Sequence, residues 1–469
     1  MTLIKSISGI RGTIGGKPGD GLSPLDIVKF ASAYGSWIVS TTSTGSAADK
    51  KVTVVIGRDA RLSGQMVNNI VCGTLVGLGI NVIDLGISTT PTVEVAVTEL
   101  NADGGIILTA SHNPKQWNAL KLLNNKGEFI SDSEGKYILE LADKEDFTYS
   151  DVNQLGSYEQ RDDLLQIHID KVLSLPYVDV EAIKKANFSV AVDAVNSSGG
   201  IVIPMLLEAL GVKTIHKIHC EPTGHFAHNP EPLPEHLRDL SEAVVKTKSD
   251  VGISVDPDVD RLALVCEDGE MFGEEYTLVA VADAVLQHHK GGNTVSNLSS
   301  TRALRDVTEK MGGTYSASAV GEVNVVNMMK STNAIIGGEG NGGVILPEIH
   351  YGRDALVGVA IFLTHLAKFG KTTSMLRKSF PNYYISKNKI ELTPEIDVDK
   401  VLVSVKDKYA KQPVNTVDGV KIEFDKEWVH LRKSNTEPII RIYSESESMS
   451  TADALAKKII DDIKEIIKK

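Results

Sequence analysis

The sequence predicts an α/β protein of several domains, three of them built alike, with a smaller α+β domain at the carboxy-terminal end. Three observations support this. Short β-branched runs alternate with helix-like segments from residue 52 to residue 343, the rhythm of right-handed crossovers and a largely parallel sheet. Over the last ~90 residues the signals become those of short strands and one long amphipathic helix. The chain has 469 residues, more than one hydrophobic core ordinarily serves.

The elements follow in order. Residues 52–56 form an apolar strand that ends at Gly57-Arg58-Asp59. Residues 65–78 read as a helix, with Gly79 placed to close it. Residues 80–85 and 105–108 are the next strands, and the second runs into Thr109-Ala110-Ser111-His112-Asn113-Pro114. The rhythm restarts with a strand at 188–192, a Ser/Gly turn, a helix to Leu210, the terminator Gly211 and a strand at 212–216. A strand at 252–255 enters Asp256-Pro257-Asp258-Val259-Asp260-Arg261, and 261–265 reads as the strand after it. A third round spans 276–343 and closes on Gly338-Glu339-Gly340-Asn341-Gly342-Gly343. Strands are then expected at 389–392, 420–424, 428–431 and 439–443. A helix follows at 450–467, with Ser450 and Asp453 spaced as a capping box and Leu455, Ile459, Ile463 and Ile466 on one face. Polar segments near 149–158, 256–273 and 368–373 divide the chain into domains at 1–154, 155–258, 259–372 and 373–469.

Composition narrows the function. Hydrophobic residues make up 42% and charged residues 23%, ordinary for a soluble enzyme. A net charge of -12 argues against a general nucleic-acid binder but leaves room for a locally basic pocket. Cys72, Cys220 and Cys266 are odd in number and far apart, with no zinc-pair spacing, which fits a reducing compartment. The amino-terminal segment lacks a signal-peptide core, and no run is long enough to span a membrane. The chain is therefore expected in the cytoplasm, without membrane or nucleic-acid partners.

Four segments carry chemistry. Ser111 follows an apolar strand, so its hydroxyl should project from the carboxyl end of a sheet, where it can accept a phosphoryl group. From this hexapeptide alone a polar turn explains Ser, Asn and Pro equally well. Asp256, Asp258 and Asp260 alternate, which in an extended segment points all three the same way. Such like charges call for a cation, and oxygen-only ligands favour Mg²⁺. The spacing imitates an EF-hand loop, but Arg261 stands at the sixth place, where that loop needs Gly. A solvated acidic turn is the bland alternative. In the Gly338–Gly343 loop no Walker Lys-Ser/Thr follows, so Glu339 and Asn341 suit sugar hydroxyls better than a phosphate, with a plain Gly-rich turn as the other reading. Arg432, Ser434, Asn435, Thr436 and Arg441 offer the donors of a phosphate clamp, or else form a charged hairpin turn.

In this order the four segments resemble the α-D-phosphohexomutase superfamily over essentially the whole chain. Ser8-Gly9-Ile10-Arg11-Gly12 and Gly57-Arg58-Asp59-Ala60-Arg61-Leu62-Ser63-Gly64 are similar to two further signatures of that family. The resemblance implies a four-domain, heart-shaped architecture around a central cleft. It implies Ser111 as the phosphoserine, and Asp256, Asp258 and Asp260 as Mg²⁺ ligands together with an oxygen on Ser111. Arg11, His112 and Lys121 would contact the reacting groups, with Lys121 a proton carrier. Arg261, Glu339 and Asn341 would bind substrate, and Arg432, Ser434, Asn435, Thr436 and Arg441 would grip the non-reacting phosphate. The implied activity interconverts hexose 6-phosphate and hexose 1-phosphate through a hexose 1,6-bisphosphate, which also serves as activator. Glucosamine phosphate is the favoured substrate, glucose and mannose phosphates are the alternatives, and a sugar-phosphate phosphatase is a remoter one. The expected assembly is a monomer or homodimer. The sequence departs from the family at Ala119, where Gly is frequent, at Asn341 for Ser, and at Gly343 for a His that assists proton transfer.

Overall fold

The computed structural model describes residues 2–6, 9–42, 51–289, 291–393, 396–433 and 439–467. They form two compact units, one of residues 1–277 with 341–376 and one of residues 278–340 with 377–469.

The first unit contains a seven-stranded sheet. Its spatial order is Ile4–Ser6, Gly9–Thr13, Trp117–Leu123, Gly104–Leu108, Thr53–Arg58, Asn81–Ile87 and Tyr158–Gln160. Thr53–Arg58 pairs in parallel with Gly104–Leu108 and Asn81–Ile87. Strand alternation divides the core between the two faces. Val54, Ile56, Ile106 and Leu108 pack with Phe30, Val67 and Val71 of helices Pro24–Thr42 and Gly64–Gly77. Val55 and Ile107 pack with Val93, Ala96 and Val97 of helix Thr90–Glu99. With both faces covered, Gly104–Leu108 is buried at every position. Gly79 takes a φ of 82° one residue past Leu78, which caps the last turn of that helix, the left-handed closure its position suggested.

A second sheet runs Leu262–Cys266, Val251–Val255, Ser189–Asp193 and Thr214–Ile218. Its first pair is an antiparallel hairpin with Val255 opposite Leu262, so residues 256–261 are the hairpin turn.

In the second unit Thr294–Asn297 lies between Tyr315–Ser318 and Ile336–Glu339, parallel to both. A five-stranded antiparallel sheet follows in the order Tyr384–Glu391, Ile439–Ser446, Trp428–Lys433, Val420–Glu423 and Val414–Asn415. Helices Val398–Lys408 and Met449–Ile467 bury Val401, Val405, Ile459 and Ile463 against Val429, Leu431, Ile440 and Ile442.

Two expectations need correction. The first sheet is mixed rather than largely parallel. The Ser111 turn joins Gly104–Leu108 directly to Trp117–Leu123, and so short a connection forces antiparallel pairing. The last helix is not capped by Ser450 and Asp453. Ser448 and Thr451 exchange the reciprocal bonds, at 3.2 and 3.3 Å, while Asp453 accepts from Ser386 Oγ. Among the described residues no helix is long and apolar enough to cross a membrane.

Ile459 is wholly buried between the last helix and its sheet. Ile459→Ala should cost about 2–5 kcal/mol in urea unfolding. Lys457→Ala, on the exposed side of the same helix, should stay within about 0.5 kcal/mol of the parent.

Candidate active site

The Ser111 turn is held from beneath. Ser111 takes a φ of 48°, the left-handed region that few non-glycine residues adopt. Its N–H donates to Thr109 Oγ1 at 2.9 Å, and Thr109 Oγ1 donates to Asp59 Oδ2 at 2.6 Å. Arg61, only 1% exposed, threads the turn. Its Nε meets Asp59 Oδ2 at 2.8 Å, Nη2 donates to the Ser111 carbonyl at 2.8 Å, and Nη1 donates to the carbonyls of Pro114 and Trp117. Asp59 and Arg61 stand in a signature that the sequence flagged without a role; here they are the scaffold of the Ser111 turn.

Ser111 Oγ donates to Asp256 Oδ2 at 2.7 Å, which brings the hydroxyl into the acidic turn. That turn is not the extended segment the alternation suggested. Val259 has a φ of 63°, and Asp256 Oδ1 accepts from the N–H groups of Asp260 and Arg261, both at 3.1 Å. The hairpin, rather than strand alternation, makes the carboxylates converge. Ser197 Oγ ties the two loops together, donating to the Pro257 carbonyl at 2.8 Å and accepting from Ala60 N at 3.2 Å.

Asp256, Asp258 and Asp260 are all buried, and their ligand oxygens lie within 4.8 Å of one another. Lys121 Nζ reaches Asp258 Oδ2 at 2.7 Å and Asp260 Oδ2 at 3.6 Å. Thr90 Oγ1 donates to Asp258 Oδ2 at 2.5 Å, and Arg353 Nη2 to Asp260 Oδ2 at 2.7 Å. The remaining oxygens, Asp258 Oδ1 and Asp260 Oδ1, are buried without a hydrogen-bond partner. Orphaned anionic oxygens beside a third carboxylate fit a hard divalent cation such as Mg²⁺.

Burial, followed by repulsion from Asp260 and Asp258, raises Asp256 well above the usual carboxylate range. Burial acts the same way on Asp258, but the Lys121 ammonium outweighs it and holds this carboxyl low. Burial opposes the charge on Lys121, yet Asp258 and Asp260 raise it above an ordinary lysine. His112 Nδ1 lies 3.5 Å from Ser111 Oγ. Burial, then the nearby Arg261 charge, push this imidazole down to about 3, so it is neutral. Arg261 itself lies 3.6 Å from Glu231 and 4.0 Å from Asp260.

The other sequence-derived candidates stand as follows. Arg11 is exposed on Gly9–Thr13, opposite Ala119. Asn341 Oδ1 accepts from Gly343 N at 3.3 Å. In the second unit Glu339 is buried and accepts from Asn297 Nδ2 at 2.9 Å and Gly321 N at 3.1 Å. Arg432 Nε lies 2.7 Å from Asp418 Oδ2, and Arg441, its exposed cross-strand neighbour, stands opposite. Ser434, Asn435 and Thr436 lie outside the described residues, as does Ser8. Thr90, Asn297 and Arg353 escaped the sequence reading, because each meets its partner across a long stretch of chain and belongs to no local pattern.

A second buried cluster lies close by. His168 Nε2 and His350 Nε2 meet Asp354 Oδ2 at 2.9 and 3.1 Å. His168 Nδ1 faces Thr92 Oγ1 at 3.0 Å, and His350 Nδ1 faces Glu94 Oε2 at 3.0 Å. Every ring nitrogen thus meets a protein oxygen.

Comparison with known proteins agrees with the fold. The chain matches family models described as phosphoglucomutase/phosphomannomutase alpha/beta/alpha domain I at residues 3–149, domain II at 166–269, domain III at 273–384 and the C-terminal domain at 391–462. It is 36% identical over 446 residues to a Thermococcus kodakarensis protein named phosphoglucomutase/phosphomannomutase, covering 94% of this chain and 95% of that one. It is 31% identical over 465 residues to a phosphoglucosamine/phosphogalactosamine mutase of Sulfurisphaera tokodaii, covering 98% of each. A crystal structure of a phosphoglucomutase/phosphomannomutase family protein from Burkholderia thailandensis superposes with a TM-score of 0.85 at 25% identity, covering 99% of this chain and 98% of that one.

The His350 cluster has a pH signature. Burial works against the charge on His350, but Asp354 and Glu94 overcome it and raise the group from 6.5 to about 10. A raised value means that the stabilisation is complete below pH 6.5 and fades as pH climbs toward 10. In urea unfolding, the stability difference between the parent and His350→Gln should therefore shrink across that window. A difference that is constant or grows contradicts the charged-histidine assignment.

Proposed function

The chain belongs to the phosphoglucomutase/phosphomannomutase family and is a phosphomutase; on that premise we propose that it interconverts hexose 6-phosphates and hexose 1-phosphates through a phosphoserine at Ser111 and a hexose 1,6-bisphosphate. The observation that carries this reading is the 2.7 Å bond from Ser111 Oγ to Asp256 inside a buried carboxylate cluster with two unpartnered oxygens.

In the first half-reaction the bond from phosphorus to Ser111 Oγ breaks and one to the free sugar hydroxyl forms. The bisphosphate then turns round, and the opposite phosphoryl group returns to Ser111. Asp256, Asp258 and Asp260 would hold Mg²⁺, which when bound neutralises charge on the transferring group. The proton that the sugar hydroxyl gives up goes to the departing Ser111 Oγ, with Lys121, held as an ammonium, the candidate carrier, while neutral His112 offers Nδ1, 3.5 Å from Ser111 Oγ, as a hydrogen-bond acceptor. Arg11 and Arg261 add positive charge for phosphate oxygens. Glu339 and Asn341 would read sugar hydroxyls near the middle of the ring, and Arg432, Ser434, Asn435, Thr436 and Arg441 the non-reacting phosphate. Cytoplasmic sugar phosphates are the substrates this reading implies.

The relatives' names span glucose, mannose, glucosamine and galactosamine phosphates. They support a site tolerant at C2. O3 and O4 are equatorial in glucose, mannose and glucosamine, and Gly343 offers no side chain to sense C2.

Phosphopeptide mass spectrometry should find the phosphate on Ser111. Ser111→Ala should lose turnover by several orders of magnitude, about 4 kcal/mol or more of barrier. Release of inorganic phosphate as the main product would instead make the protein a phosphatase.

Steady-state rates on the 1-phosphates of glucosamine, glucose and mannose should spread by about 10–200-fold, the range one modest contact supplies. Glu339→Ala should depress all three together. Selective loss on one sugar would place the specificity in another segment.

A further inference from the structure

Gly343 stands where relatives of this chain were expected to carry a histidine, and the structure shows what fills the space. A Cβ at Gly343 would lie 2.3 Å from Cδ and 2.9 Å from Cγ of Arg353. The Arg353 stem therefore runs flat over the glycine backbone, and only a residue without a side chain permits it. The two segments are neighbours, since Ile345 in strand Gly343–Ile345 bridges antiparallel to Arg353. From this position the guanidinium, in a side chain 10% exposed, delivers Nη2 to Asp260 Oδ2 at 2.7 Å. It occupies one Asp260 oxygen and leaves the other, Oδ1, without a hydrogen-bond partner.

The residues around Arg353 are fixed in turn. Ala355 N donates to the Val259 carbonyl at 3.2 Å, which docks the start of helix Ala355–Phe369 on the acidic hairpin. Asp354 caps that helix through Oδ1, accepting from Leu356 N at 2.8 Å and Val357 N at 3.3 Å, and offers Oδ2 to His168 and His350. Glu94 closes the cluster from helix Thr90–Glu99. The first residue of that helix, Thr90, meets Asp258 twice: Oγ1 donates to Oδ2, and its N–H to the backbone carbonyl at 2.9 Å. One buried histidine–carboxylate network thus anchors both helices whose leading ends hold the second and third carboxylates of the turn.

We propose that Arg353 is a positioning residue for phosphoryl transfer, which holds Asp260 so that its free oxygen faces the cation site. Thr90 does the same for Asp258, and the His168–Asp354–His350–Glu94 network fixes both. An arginine suits this place because its charge does not titrate in a protein and its planar fork has a set direction, whereas a lysine offers a freely rotating point charge. The proposal rests on the metal-assisted mutase reading above.

The test compares the parent, Arg353→Lys, Arg353→Met and Asp258→Asn on the full chain. It reads kcat, KM for glucose 1-phosphate, half-saturating Mg²⁺, and Mn²⁺ binding by calorimetry. Arg353→Met should raise half-saturating Mg²⁺ and weaken Mn²⁺ binding by about 10–100-fold, the cost of losing a partner that orients a metal ligand. Its kcat should fall at limiting Mg²⁺, while KM for the sugar phosphate stays within about 2-fold. Arg353→Lys should fall between Arg353→Met and the parent. A merely structural role would lower the melting temperature without splitting metal dependence from KM. The proposal is overturned if Asp258→Asn is crippled while either Arg353 variant keeps the parent's metal dependence, or if the loss appears in KM. Full activity of Asp258→Asn in excess chelator overturns the mutase reading itself, and this proposal with it.

Discussion

Three buried carboxylates within reach of one another set the terms for the first unit. Unit charges ~4 Å apart repel by about 4 kcal/mol per pair at an effective dielectric of ~20. Within the hairpin the Asp260 and Arg261 N–H groups and the Arg261 charge relieve part of this. Further relief comes from Lys121 on strand Trp117–Leu123, Thr90 at the head of helix Thr90–Glu99, Arg353 before helix Ala355–Phe369, and the Ser111 hydroxyl. Each partner belongs to a different element. The fold is therefore not a neutral frame for the site, because assembling the sheet and its helices is what makes the acidic turn tolerable. Two oxygens are still left without a hydrogen-bond partner, and that remainder fits a cation.

The Ser111 turn is held by the opposite logic. A left-handed serine is a strained conformation that persists only where its surroundings over-determine it. Arg61 does so by donating to successive carbonyls of the turn, and Asp59 balances its charge while also receiving Thr109. The backbone of the turn is thereby set, while the Ser111 hydroxyl hydrogen-bonds out of it to Asp256.

Much of this was legible in the sequence, for identifiable reasons. The Ser111 hexapeptide and the Asp256–Asp258–Asp260 repeat are local patterns, and the strands beside them are apolar runs bounded by turns. The three carboxylates of the repeat do converge, but not through the extended geometry read from their alternation, since a positive φ at Val259, a β-branched residue, leaves no compositional trace. Arg353, Thr90 and the two buried histidines were invisible because their contacts join segments from far apart in the chain, and a lone His or Arg announces no partner. Gly343 registered only as a missing histidine; that it makes room for Arg353 is a fact of packing. The last helix's apolar face was clear from its period, whereas its cap moved two residues upstream, where a Ser/Thr pair forms the reciprocal bonds that Ser450 and Asp453 only imitate.

The ion pair of Arg432 with Asp418 bears on timing. In the proposed cycle a phosphate that comes to Arg432 finds a guanidinium with a carboxylate already 2.7 Å away, itself held by the Val320 N–H at 3.0 Å. Binding there is an exchange of one anion for another, so the net gain is the difference between two charge pairs rather than the strength of one. A grip of that kind has a low ceiling and a short residence time. For a sugar bisphosphate that must let go with one end before presenting the other, a resident carboxylate ready to retake the arginine shortens the interval in which the intermediate stays stuck.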